Sequence, residues 1–580
     1  MAKKALGLIG CLLLSACGGG GGGGGSPGSL GSSFGETPVS VSSCVSLAAG
    51  NECAPGVRVE SNSIADGSAV LTYENQGSVP RDLLVSGVGG IHTVSAVLYS
   101  SDTTPNNLPD SGSGGKLFDT VSRQHNSIPV QISRENLQAP ADLRDLLKNN
   151  VGTSAPAPVQ PSGNWTSIVN GNIATVPTAK LAESDLPNSG GGKVVVWGQN
   201  SVLTNVNSCG APLTGDDLAK ADMKVNACQA RAMADMFASK VYPLASELIG
   251  TPWGDGVPAA LQPWLLDRST KDIHIVLLDI TPDGQPLGTI GYYWSVNSFR
   301  KGVKPYSNEA LVFYMDAATF AKLDRYKDGE TESGIWHAEG TYPALGMTTL
   351  AHEFQHMIQF YQKQVRHGAP VGAGDTFQNE TAAQALGYLA GRQMFPNVET
   401  DPHLRTEVVG GFEGEFRQSL GYSGCLMDSW GGSGDVCSAG AHYPQALSLA
   451  MYMLHQYGPG ILKDWVQGPE NGIAAIEKGL ASASAGLKYH EVVRRWGIST
   501  RMEKAAGNLG FPARQWPLGA ATIDLGAVSP GAYFNFKVGS FKTTLPSGSA
   551  PRYAVNVQPG IAENTRVRVP GGSGLHLVVY

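Results

Sequence analysis

Two histidines four residues apart in an apolar stretch constrain this chain more than any other feature of it. The segment reads Thr348-Thr349-Leu350-Ala351-His352-Glu353-Phe354-Gln355-His356-Met357. On a helix, positions i and i+4 share one face, so His352 and His356 can aim two imidazoles at one metal ion. The surrounding Leu350, Ala351, Phe354, Met357 and Ile358 make the helical frame apolar and predict a helix held inside a domain. Glu353 falls beside the pair, near enough to act on an activated water without being a ligand. A catalytic zinc site takes three protein ligands and leaves one position open. The metal lowers the pKa of water to about 7, and a neighbouring carboxylate takes the proton as the water attacks a carbonyl. The bare spacing also occurs by chance in long chains, as an amphipathic helix with two ordinary histidines. A third ligand separates the two readings.

Gln359 and Gln362 stand where an extended metzincin motif needs glycine and histidine, which excludes that arrangement. Further on, residues 377–388 form a second helical pattern with Glu380 in its first turn. The interval from His356 leaves room for a Gly/Pro-rich turn at 368–374 and an antiparallel return. Glu380 is therefore the candidate third ligand and Asp375 the alternative, while His367 precedes the turn and lies too close in sequence to His356. A carboxylate in a helix's first turn also complements the helix dipole, so Glu380 suits that place for a second reason.

His352-Glu353-Phe354-Gln355-His356 followed by Asn379-Glu380-x-x-Ala383 resembles the gluzincin peptidases, and among them is most similar to the hyicolysin family of secreted bacterial peptidases. The similarity runs from 273–280 through Gly291-Tyr292-Tyr293 and Ser307-Asn308 to 443–458. Phe377-Gln378 departs from the Trp or Leu that often precedes Asn-Glu in such enzymes. The resemblance implies one Zn2+ on His352, His356 and Glu380, with Glu353 as general base in the hydrolysis of peptide bonds by an endopeptidase. It also implies a zincin-like catalytic domain. The oxyanion needs a donor besides the metal. Gluzincins often supply it as a Tyr or His downstream of the third ligand, which makes Tyr443, or His442, the candidate here; a core tyrosine opening a helix fits the same letters.

The N-terminus carries Lys3 and Lys4 and an apolar run at 5–14 too short to span a membrane. Leu14-Ser15-Ala16-Cys17 resembles the bacterial lipobox, which implies cleavage before Cys17, lipid attachment there and a membrane anchor. An ordinary signal peptide cut at Ala16 is the alternative. A glycine tract at 18–25 reads as a tether, and Gly19 in place of Asp implies, by resemblance to sorting rules, the outer membrane. Six cysteines remain beyond Cys11 and Cys17, in three sequence-local couples: Cys44 with Cys53, Cys209 with Cys228, and Cys425 with Cys437. In an exported chain they read as disulfides, since near neighbours close loops at the lowest entropic cost. A net charge of −7 without a basic cluster argues against a nucleic-acid partner.

With 580 residues the chain needs several domains. Texture divides it into a signal at 1–16, a tether at 17–40, a β-rich region at 41–205, an α+β peptidase domain at 206–508 and a small β module at 509–580. A long helix is expected over 216–248, a central strand at 273–280 and another at 309–315 whose edge would take a peptide substrate by β-addition. The rival function is a surface adhesin or binding lipoprotein whose β modules do the work. Structural zinc is usually closed by four protein ligands, whereas three ligands with Glu353 retained favour catalysis.

Overall fold

The computed structural model describes residues 163–368, 376–395, most of 439–528, the single positions Phe416, Ser419, Met427 and Trp430, and, as strands, stretches between 14 and 126 and between 554 and 579. Within it, six strands form one mixed sheet: β1 (Asn164–Val169), β2 (Asn172–Asp185), β3 (Lys193–Gln199), β4 (Ile273–Leu278), β5 (Gly291–Tyr293) and β6 (Leu311–Asp316). Their order is β5-β6-β4-β3-β2-β1. The near-continuous apolar runs of β4 and β6 place them inside, parallel to each other and buried at every position. β3 also runs parallel to β4, while β5 closes one edge antiparallel to β6. Helices cover the face carrying Ile273, Ile275, Leu277, Leu311, Phe313 and Met315. The chain is α+β, as its pattern predicts.

The other face, with Val276, Leu278, Tyr292, Val312 and Tyr314, packs on Trp165 and Ile168 of β1. β1 is last in the ladder, yet it curls back over the sheet. The hydroxyl of Tyr292 accepts from the Ile168 N–H at 2.7 Å, and that of Tyr314 donates to the Thr166 carbonyl at 2.7 Å. Asn308 brackets the same peptide, accepting from Thr166 N at 2.8 Å and donating to its carbonyl at 2.7 Å. These side chains satisfy backbone groups that an edge strand would otherwise leave bare.

Three expectations change. The boundary at 205/206 does not hold, because residues 164–199 supply half of the peptidase sheet. The front and C-terminal β segments are not separate modules: Ser573–Val579 pairs with both Ala69–Asn75 and Val94–Ser100, and Thr565–Val569 pairs with Arg81–Ser86. Alternating strands advertise a face to bury but not the partner that buries it. The helix over 216–248 is interrupted at Met223, whose φ is +60°. There Asp222 turns aside to hold Lys322 and Arg325, and Asn226 caps a new helix at Ala227–Met236 by accepting from Cys228 N and Gln229 N. That helix continues through a π turn into Tyr242–Ile249.

Candidate active site

The motif lies on the helix Thr341–Gln359. Phe354 fixes its rotation: the ring stacks on Tyr242 at 5.9 Å and meets Phe237 and Phe313 edge-on at 5.1 and 5.8 Å. His352 and His356, each about 200° around the helix from Phe354, are thereby turned to the opposite face. A second helix, Thr376–Met394, passes across that face. Glu380 lies by the two histidines and Gly387 by Thr348, so the helices run antiparallel. Gly387 permits this approach, since a Cβ there would stand 3.1 Å from the Thr348 carbonyl oxygen.

The three expected ligands converge. Nε2 of His352 is 3.0 Å from Oε2 of Glu380 and 3.1 Å from Nε2 of His356, which is itself 3.6 Å from the same carboxylate oxygen. Ligands about 2.0–2.1 Å from a tetrahedral zinc are spaced about 3.3 Å apart, so these separations fit one ion. The donor set, two imidazoles and a carboxylate, fits zinc as well. Asn379, next to Glu380, places Oδ1 3.2 Å from Nδ1 of His356. With Nδ1–H donating to this amide, the Nε2 lone pair is left for the ion.

Burial pushes the carboxyl of Glu380 upward, but the charges of His356 and His352 outweigh it and hold it well below its usual range. Burial likewise opposes charge on His356, and Glu380 reverses that and draws its pKa up. A cluster that attracts a proton so strongly is one that a cation would occupy in its place. Glu353 is 1% exposed, and burial raises its pKa against the pull of the two histidines. A raised pKa suits a group that must both take and return a proton.

The edge strand holds that carboxylate. Asp316 N donates to the Ile290 carbonyl at 2.7 Å, so by alternation the 292/314 pair is also hydrogen-bonded while the backbone groups of Gly291 and Tyr293 face away from β6. Tyr293 N duly donates to Oε2 of Glu353 at 2.8 Å. The strand expected to offer an edge at 309–315 is instead internal, paired with β4 on one side and β5 on the other; the edge is β5.

Tyr443 opens toward the site: on the helix Ala439–Tyr457, its ring is 6.3 Å from that of His352. Its carbonyl accepts from Gln384, one turn past Glu380, at 3.3 Å. His442 is fully buried, stacked on Trp430 at 5.3 Å with Phe377 edge-on. His367 is exposed and stands outside the ligand group. Of the three expected disulfides, the one between Cys209 and Cys228 is formed. The other two, Cys44 with Cys53 and Cys425 with Cys437, lie outside the described residues. So do Asp375 and the expected lipid attachment point, Cys17. Sequence reasoning assigned no role to Asn379 or to the Tyr293 backbone. Asn379 could have been read from its place beside Glu380; the Tyr293 contact depends on strand order and had no local signal.

The neutral metalloprotease ShpI of Staphylococcus hyicus is 25% identical to this chain over 296 residues, an alignment spanning 50% of the chain and 57% of that relative. The profile of the peptidase M30 family matches residues 216–580 and so takes in the motif helix, the Glu380 helix and Tyr443. The chain belongs to the peptidase M30 family.

Proposed function

We propose that this chain is a zinc-dependent endopeptidase in which His352, His356 and Glu380 hold the metal and Glu353 is the general base. The observation that carries this reading is the convergence of three ligands beside a buried fourth group that is not one of them. Zinc, when bound, supplies Lewis acidity, polarising the scissile carbonyl and acidifying water. The other steps fall to the chain's own residues. Glu353 takes the proton from the attacking water and passes it to the departing amine. Its Oε2 is anchored by Tyr293, which leaves Oε1 for the water. Tyr443 donates to the developing oxyanion, a role supported by its ring lying beside His352. An extended peptide would add along the outer side of β5, the side of Gly291 and Tyr293 turned away from β6. Pairing along a strand needs no chain end, which favours an endopeptidase.

The metalloprotease name of the Staphylococcus hyicus relative supports the same chemistry. We further place the mature protein on the outer membrane through lipid on Cys17, on the strength of the Leu14-Ser15-Ala16-Cys17 signal. Among the described residues, no helix is long and apolar enough to cross a membrane. Digestion of casein or a peptide library with and without a chelator tests the proposal. Chelator-sensitive cleavage restored by zinc is expected, and cleavage indifferent to the chelator would contradict it.

A further inference from the structure

The chain enters β5 through a turn that a leucine is ill suited to make. Leu287 has φ +76° and Gly288 φ +86°. Glycine takes such angles freely, but a leucine there persists only where its surroundings over-determine it. Two hydrogen bonds hold this turn. The Leu287 N–H donates to Oγ1 of Thr319 at 2.8 Å, and the Ile290 carbonyl accepts from the N–H of Asp316 at 2.7 Å. The Thr319 hydroxyl donates in its turn to Oδ2 of Asp316 at 2.6 Å. Both side chains are buried. A hydroxyl that accepts from an amide while donating to a carboxylate is polarised by both, which strengthens each bond. Asp316 also caps the short helix Ala317–Phe320, and that role accounts for the bond from the Thr319 N–H at 2.7 Å. Capping requires neither a hydroxyl at 319 nor a link to Leu287.

The same short helix leans on the metal helix. Phe320 lies against Gly346, where a Cβ would stand 3.4 Å from its ring, and Gly346 belongs to the helix that carries His352 and His356. We infer that Thr319 and Asp316 are positioning residues for the peptide substrate: by fixing the Leu287–Ile290 turn they set where the outer side of β5 stands relative to the metal helix, a role that rests on the peptide pairing along β5 as proposed above. Neither residue belongs to the ligand group. Their influence on turnover should therefore grow with the length of substrate that lies on the edge, whereas a defect in the metal centre or in the fold at large would slow short and long substrates alike.

The test measures kcat and KM of the full protein on peptides of increasing length with the same residues at the scissile bond, starting from the shortest that wild type cleaves. Thr319→Val removes the hydroxyl and keeps the shape. It is expected to lower kcat/KM about tenfold more for the longest peptide than for the shortest, chiefly through KM, with zinc bound as in wild type. Thr319→Ser, which restores the hydroxyl, should recover most of that loss. Leu287→Gly, which lets the turn form untethered, should shrink the effect of Thr319→Val when the two are combined. If Thr319→Val fails to fold, Asp316→Asn decides the matter: it leaves a neutral acceptor for the hydroxyl and should show the same length-dependent loss on a smaller scale. Losses equal across the peptide series, or as large in Thr319→Ser as in Thr319→Val, would overturn the inference and leave the pair a helix cap. A wild type that cleaves none of the peptides would overturn the peptidase reading and this inference with it.

Discussion

At the residue scale, the roles of Asn379 and Tyr443 are separable from those of the ligands. Asn379 touches His356 only through Nδ1, so Asn379→Ala is expected to leave the fold intact and weaken zinc binding roughly 10- to 100-fold, as loss of an orienting partner does. Competition with a fluorescent zinc chelator checks this. An unchanged affinity would show that the helix alone orients the imidazole. Tyr443→Phe removes a single donor and should lower kcat by about 10²–10³ with little change in KM. A kcat within a factor of two of wild type would return Tyr443 to the status of a core aromatic, the reading its contact with Trp430 at 4.6 Å also permits. The pairing of His352 with His356 on one helix face was legible in the sequence because i,i+4 spacing is local and survives any tertiary arrangement. The Tyr293 N–H that holds Glu353 was not, because a backbone N–H carries no residue-type signal.

At the scale of elements, the site depends on two helices approaching closely and on the strand beneath them. Gly387→Leu would drive a side chain into the Thr348 backbone, and overpacking of this kind costs about 1–3 kcal/mol. Denaturant unfolding should show that loss together with weaker zinc binding; a variant as stable as wild type would mean the helices can part without penalty. Asp222 tests the break in the 216–248 region. Burial pushes its carboxyl up, but the bonds from Lys322, Leu323 N and Arg325 prevail and its pKa is lowered. A depressed folded-state pKa adds stability that is complete above the unfolded value of about 3.9 and is lost as pH falls through the lower folded value. Asp222→Asn should therefore destabilise by about 1–3 kcal/mol at neutral pH, and the gap should narrow below about pH 4. A gap independent of pH would assign the loss to packing. Periodicity showed a helix over this stretch but not its interruption. The stop at Met223 is set by ion pairs with residues about a hundred positions away, which no local pattern records.

At the scale of the molecule, the strands at 554–579 pair with strands at 59–100, so the two ends of the chain fold as one unit. Removing 565–580 should expose the flanking strands and cost the N-terminal segment its protease resistance; limited proteolysis checks this, and an unchanged pattern would restore the two-module division expected from composition. That division failed because alternation identifies strands and leaves their partners open, whereas the buried apolar run at β4 announced a central strand correctly. The central claim is that one zinc ion on His352, His356 and Glu380 works with Glu353 as base. It is tested most directly by measuring bound zinc and peptide cleavage on the same preparations of wild type, Glu353→Gln and His356→Ala. About one zinc per chain is expected in wild type and in Glu353→Gln, with cleavage in the latter reduced by at least about 10²–10⁴, and loss of both zinc and cleavage in His356→Ala. Full turnover by Glu353→Gln, or a full equivalent of tightly bound zinc in His356→Ala, would contradict it.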